Sequence, residues 1–178
     1  MKKFALIAVT VLAAASLVSA QGMAEDKGKR PSPPATAQCK FSNGKTVEID
    51  YSSPRAKGRK IFGDLVPYGQ IWRTGANEST TFVTDSNITV GGTAVPAGSY
   101  TIFTVPKADA WTLVISKKTG EWGTDYPGEK EDLARVPMTV AKTPAPVENF
   151  YINFEYGGSK CALNIAWENT VASVEVKQ

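Results

Sequence analysis

On its sequence the chain is an all-β protein, an antiparallel β-sandwich of jelly-roll or immunoglobulin-like kind folded as a single domain. Three observations predict this. Beyond about residue 38 the apolar residues alternate with polar ones at period two, the mark of strands that bury one face. No long stretch there carries a helical repeat. Gly, Asn, Asp and Pro recur at short intervals between the alternating runs, as many short strands closed by tight turns require.

The elements follow in order. Thr46 to Tyr51 sets Val47, Ile49 and Tyr51 on one face and Glu48 and Asp50 on the other. Strands are expected over Thr80 to Thr84, Ile88 to Val90, Ser99 to Val105, Trp111 to Ser116, Arg135 to Val140 and Val171 to Val176. Phe150, Ile152 and Phe154 alternate in one further strand, and Cys161, Leu163, Ile165 and Trp167 in another. Asn43-Gly44, Gly91-Gly92, Pro96-Ala97-Gly98, Gly157-Gly158 and Glu168-Asn169 supply turn chemistry between them. Trp111 alternates with Leu113 and Ile115, which assigns it to the core. The sole candidate for a helix is a turn or two around Gly128 to Leu133.

Lys2 and Lys3, an apolar run from Phe4 through Val18, and Val18-Ser19-Ala20 describe a secretory signal peptide over residues 1–20. Residues 21–37 hold Pro31, Pro33 and Pro34 and a charged patch from Glu25 to Arg30, and read as a disordered linker. Residues 38–178 then form the domain. The mature protein is expected to be exported, periplasmic or extracellular, without an integral membrane segment. Loss of Lys2 and Lys3 with the signal takes the net charge from +3 to +1, too weak a field to predict a nucleic-acid partner. Cys39 and Cys161 are the two cysteines of the chain, and an even count in an oxidising compartment predicts a bond between them.

Between Pro54 and Phe82 the alternation lapses and Gly, aromatic and charged residues crowd together. Lys57, Arg59 and Lys60 read as a solvated basic turn. The stretch Trp72-Arg73-Thr74-Gly75-Ala76-Asn77-Glu78, with Tyr68 before it, is the candidate site. Arg73 could grip a carboxylate or phosphate, Trp72 or Tyr68 could stack on a sugar face, and Asn77 and Glu78 could hydrogen-bond hydroxyls. The same residues could instead pin an irregular β segment, Arg73 pairing with Glu78 or Asp64 while Trp72 fills the core.

The run from Lys57 to Phe82, Lys-Gly-Arg-x-Ile-Phe-Gly-x-Leu-Val-Pro-Tyr-Gly-x-x-Trp-Arg-Thr-Gly-Ala-Asn-Glu-x-Thr-Thr-Phe, resembles a widespread family of exported bacterial proteins known only as a domain of unknown function. The likeness extends through Pro96-Ala-Gly-Ser-Tyr-Thr-Ile-Phe-Thr-Val-Pro and Trp111-Thr-Leu-Val-Ile. It implies export and a common fold, and leaves the activity open.

The chemistry available is narrow. The chain has no His, so Ser-His-Asp and Cys-His mechanisms are excluded, and no metal-ligand set, phosphate-binding glycine loop or cofactor motif is read. Catalysis would fall to a carboxylate pair, Glu78 with Asp50 or Asp64. The sequence therefore favours a non-catalytic module that binds a small polar ligand or glycan through Tyr68, Trp72, Arg73, Thr74, Asn77 and Glu78. The alternatives are a carboxylate-dependent hydrolase using Glu78, and a structural or partner-binding envelope protein tethered by its linker.

Overall fold

The computed structural model describes residues 26–123 and 125–178; the expected signal peptide and the first residues of the expected linker lie outside these. Nine strands run in chain order: β1 (Pro34–Lys40), β2 (Thr46–Ser52), β3 (Thr80–Thr84), β4 (Ile88–Val90), β5 (Thr93–Val95), β6 (Gly98–Pro106), β7 (Ala110–Ser116), β8 (Asp132–Tyr156) and β9 (Lys160–Lys177). All pairings are antiparallel, in one sheet of order β1-β2-β3-β6-β7-β8-β9-β4-β5 that does not close into a barrel.

This one sheet makes two layers because β8 and β9 are long and bent. The first part of β8 pairs with β7 and with the end of β9, Thr139 facing Ser173 and Lys142 facing Thr170. Its second part pairs with the start of β9, from Tyr151 opposite Ala166 to Tyr156 opposite Cys161, with register shifts between Lys142 and Tyr151. Such bulges bend a strand and increase its twist. The far end of the hairpin consequently folds over β1 and β2. Tyr51 Oη donates to Ile152 O at 3.3 Å, Ser53 Oγ donates to Phe150 O at 2.6 Å, and a disulfide joins Cys39 to Cys161. That bond closes 122 residues of chain and stabilises by about 4–5 kcal/mol on the chain-entropy model.

Alternation delivers the core as the sequence expects. Val47, Ile49, Phe82, Ile102, Leu113, Ile115, Phe150, Leu163 and Ile165 are fully buried between the layers, each worth roughly 1.5–3 kcal/mol of apolar transfer. Trp111 is among them, at 2% exposure. The expected basic turn at Lys57, Arg59 and Lys60 is solvent-exposed.

The elements depart from expectation in three places. The described part of the expected disordered linker is ordered: a 3-10 turn spans Lys27–Lys29, and β1 begins at Pro34, because Ser53 N donates to Pro33 O and every residue from Pro34 on pairs with β2. The expected turn at Glu168-Asn169 is a kink inside continuous β9, with Glu168 at φ +53° and its carboxylate accepting from Ile61 N. The candidate helix is one 3-10 turn, Glu129–Glu131.

Candidate functional site

The irregular segment meets the sheet at Trp72, whose N–H donates to Thr104 O at 2.8 Å and whose carbonyl accepts from Thr104 N at 2.9 Å. This bridge turns the indole inward, where it stacks on Trp167 and meets Phe62, Trp111 and Phe150 edge-on. At 8% exposure Trp72 offers no face to a ligand, which corrects the stacking role expected of it. Thr74 is likewise internal. It is fully buried at φ +57°, its hydroxyl donates to Trp72 O, and its carbonyl accepts from Thr80 Oγ1. A β-branched residue in the left-handed region is rare and survives only where its surroundings over-determine it. Gly75 is required beside it, since a Cβ there would lie 3.0 Å from Ser52 O. Tyr68 is exposed, its ring lying over Gly63.

Asn77 and Glu78 are also engaged, by the segment expected to be linker. Asn77 Nδ2 donates to Ser32 O at 2.9 Å. Arg30 Nη1 donates to both carboxylate oxygens of Glu78, at 2.8 and 2.9 Å, and Lys27 Nζ lies 3.1 Å from Oε1. Hydrogen bonds from Arg30, from the backbone and from Lys27 bring the Glu78 pKa down from 4.5 to about 2. The arginine that pairs with Glu78 is therefore Arg30, not Arg73 as the pinning alternative has it, and Asp64 is exposed. Of the two carboxylates considered as its catalytic partner, Asp50 shares with it a concavity of about 240 Å³. With its pKa held at about 2, Glu78 is ionised at neutral pH and suits an acceptor better than a proton donor.

The outer side of the motif carries the connection from β7 to β8. Ser79 N donates to Glu121 O, Glu78 bridges Trp122, and Gly123 N donates to Asn77 O at 3.2 Å. Gly123, at φ +60°, passes so close to Arg73 that a Cβ would sit 3.3 Å from Nη1. Farther along, Tyr126 packs edge-on against Phe103, and its hydroxyl donates to Asp132 and accepts from Arg135. The described part of the connection borders a cleft of about 630 Å³ lined by Lys118, Glu121, Trp122, Asp125 and Tyr126 among others.

Two side chains stand out at this cleft, and neither is singled out by the sequence alone. Trp122 is 60% exposed, whereas Trp72, Trp111 and Trp167 are buried. The Glu121 side chain is 7% exposed, and its Oε2 has no hydrogen-bond partner among the described residues. Lys118 Nζ lies 3.9 Å from the other oxygen, outside hydrogen-bond reach. Arg73 Nε, Ser79 Oγ and Thr101 Oγ1 are further buried atoms without a partner among the described residues. An unmatched buried polar atom costs about 1–3 kcal/mol, so such atoms mark places where the fold does not supply all the contacts. A third concavity, of about 480 Å³, lies on the β8–β9 ribbon; of its charged residues, Lys160 and Glu175 pair at 2.7 Å, and Glu155 also lines it. Among the described residues no group of three or more His, Cys, Asp or Glu is arranged to hold a metal, and no helix is long and apolar enough to cross a membrane.

Fold and cleft together define a disulfide-stapled, sandwich-like all-β domain with a loop-framed polar concavity against one face. Residues 32–176 match the model of the family described as protein of unknown function (DUF2911), and the chain belongs to that family. No curated protein and no solved structure matches it.

Proposed function

We propose that this chain is an exported, non-catalytic module that holds a small polar ligand or glycan in the cleft beside Trp122. One observation carries the reading: Trp122, largely exposed where the other three tryptophans are buried, lines a concavity of ligand size with polar neighbours. Flat aromatic faces hold sugar rings or other planar groups, and a few convergent polar atoms fix their orientation. The motif of residues 72–79 serves as the bed of the loop, with Asn77, Glu78 and the Thr74 carbonyl engaged in holding Gly123, the N-terminal segment and Thr80. Export is supported by the disulfide and by the signal-like start of the chain.

The test uses the uneven exposure of the four tryptophans. External quenching of fluorescence reports chiefly on Trp122, so a panel of soluble glycans and small polar compounds can be screened by protection from acrylamide. At least one compound class should protect Trp122, and Trp122→Ala should abolish its binding while moving stability by no more than about 0.5 kcal/mol, as expected of an exposed side chain. If no compound protects Trp122, or Trp122→Ala binds as wild type does, the cleft is not the site.

A further inference from the structure

We infer that Asn77 and Glu78 form a docking seat for an extended, arginine-bearing, proline-rich peptide, a seat that residues 27–32 of this chain occupy as a built-in competitor. The inference concerns a different surface from the cleft beside Trp122 and does not depend on it. The seat has two grips. Glu78 accepts from Arg30 Nη1 on both carboxylate oxygens, at 2.8 and 2.9 Å, and leaves the Arg30 side chain only 13% exposed. Two residues farther along the segment, Asn77 Nδ2 holds the main chain through Ser32 O at 2.9 Å. One grip on a side chain and one on the backbone is how sites for extended peptides read a partner. The occupant is shaped for them: Arg30 lies at φ −65° and ψ 149°, the polyproline II conformation to which the following Pro31 confines it, and Pro33 and Pro34 continue the extension. Little else ties the segment down ahead of Ser32. No residue of the Lys27–Lys29 turn is buried, and Lys27 adds an ion pair to Glu78 that is 59% exposed on its own side, a contact of small net value in water. The seat lies within the family domain of residues 32–176, and both Lys27 and Arg30 lie ahead of it. Around Glu78 a concavity of about 240 Å³ reaches Asp50, whose exposed carboxylate gives the seat a second negative charge. A basic peptide from another chain meets the same complementarity that holds Arg30. While the tethered segment is docked Glu78 serves the architecture, and an outside peptide binds only to the extent that this competitor lets go.

The experiment uses the full mature chain and, as probe, a fluorescein-labelled peptide copying residues 26–34, followed by fluorescence anisotropy. Lys27→Ala/Arg30→Ala in the chain weakens the built-in competitor and should tighten the probe at least about tenfold over wild type, the size of one charge-assisted contact. A probe carrying Arg30→Ala should bind that variant at least about tenfold more weakly than the unaltered probe, a comparison that leaves the protein untouched. Adding Glu78→Gln to the variant, with folding checked by circular dichroism, should cost the unaltered probe a similar factor. Equal binding to wild type and to the weakened variant, binding indifferent to Arg30→Ala in the probe or to Glu78→Gln, or no binding to the variant up to about 1 mM would each overturn the inference and leave the segment a fixed part of the domain. None of these outcomes bears on the cleft, which is read by the quenching of Trp122.

Discussion

Glu78 and Glu121 lie almost opposite each other where the β7–β8 connection bridges the motif, yet their carboxylates meet opposite surroundings. Glu78 keeps about a third of its side chain in water and receives Arg30 and Lys27; Glu121 is nearly enclosed and has an oxygen that nothing in the described chain addresses. The conspicuous glutamate, set in a long motif of polar and aromatic residues, is architecture. The inconspicuous one, in a short glycine-flanked loop, is shut away from water with one oxygen unmatched. Availability depends on partners rather than on residue type, and the partner of Glu78 comes from 48 residues away in sequence.

If the motif is bed and the loop is site, truncation should hurt most at the buried end of the motif and least in the loop. Trp72→Ala removes the centre of the aromatic cluster and should destabilise by about 3–5 kcal/mol in urea denaturation; a loss under about 1 kcal/mol would mean the cluster is not the core it looks. Arg30→Ala should cost about 1 kcal/mol at neutral pH, a modest figure because Glu78 is partly solvated. Because the folded pKa of Glu78 is depressed to about 2, the pair's contribution is complete above its ordinary 4.5 and drains away as the pH falls toward 2. Stability curves of wild type and Arg30→Ala should therefore converge in that acid window, and parallel curves would show that the pair is not the cause. Glu121→Gln removes no hydrogen bond and should shift stability by no more than about 0.5 kcal/mol. A loss of about 2 kcal/mol or more would make Glu121 a structural member of the loop and erase the contrast with Glu78.

The strands were legible wherever one face was buried and alternation was clean. Thr80–Thr84 and Ile88–Val90 occupy the expected positions, β6 is longer than expected by a residue at each end, and β7 by one at its start. The strand β1 was hidden because its inward positions are Ala35, Ala37 and Cys39, too small to stand out beside three prolines. β8 and β9 were read in pieces, since a kink at Glu168 carries the same residues as a turn. The site was less legible than the fold. Motif composition singled out Asn77 and Glu78, but their partners Ser32 and Arg30 lie in a stretch whose composition signals disorder. Trp122 sits in Gly120-Glu121-Trp122-Gly123, a run too short for any periodicity; a large aromatic outside an alternating strand was the one available hint.

The disulfide has a mechanical consequence as well. Cys39 lies on the edge strand and Cys161 near the start of β9, so a pull between the two ends of the chain passes through the sulfur–sulfur link. The interval between them, a sequence separation of 122 that holds β2 through β8 and the cleft, is bypassed covalently by that link. Tension on residues outside the two cysteines therefore meets a covalent bypass before it reaches the backbone of that interval.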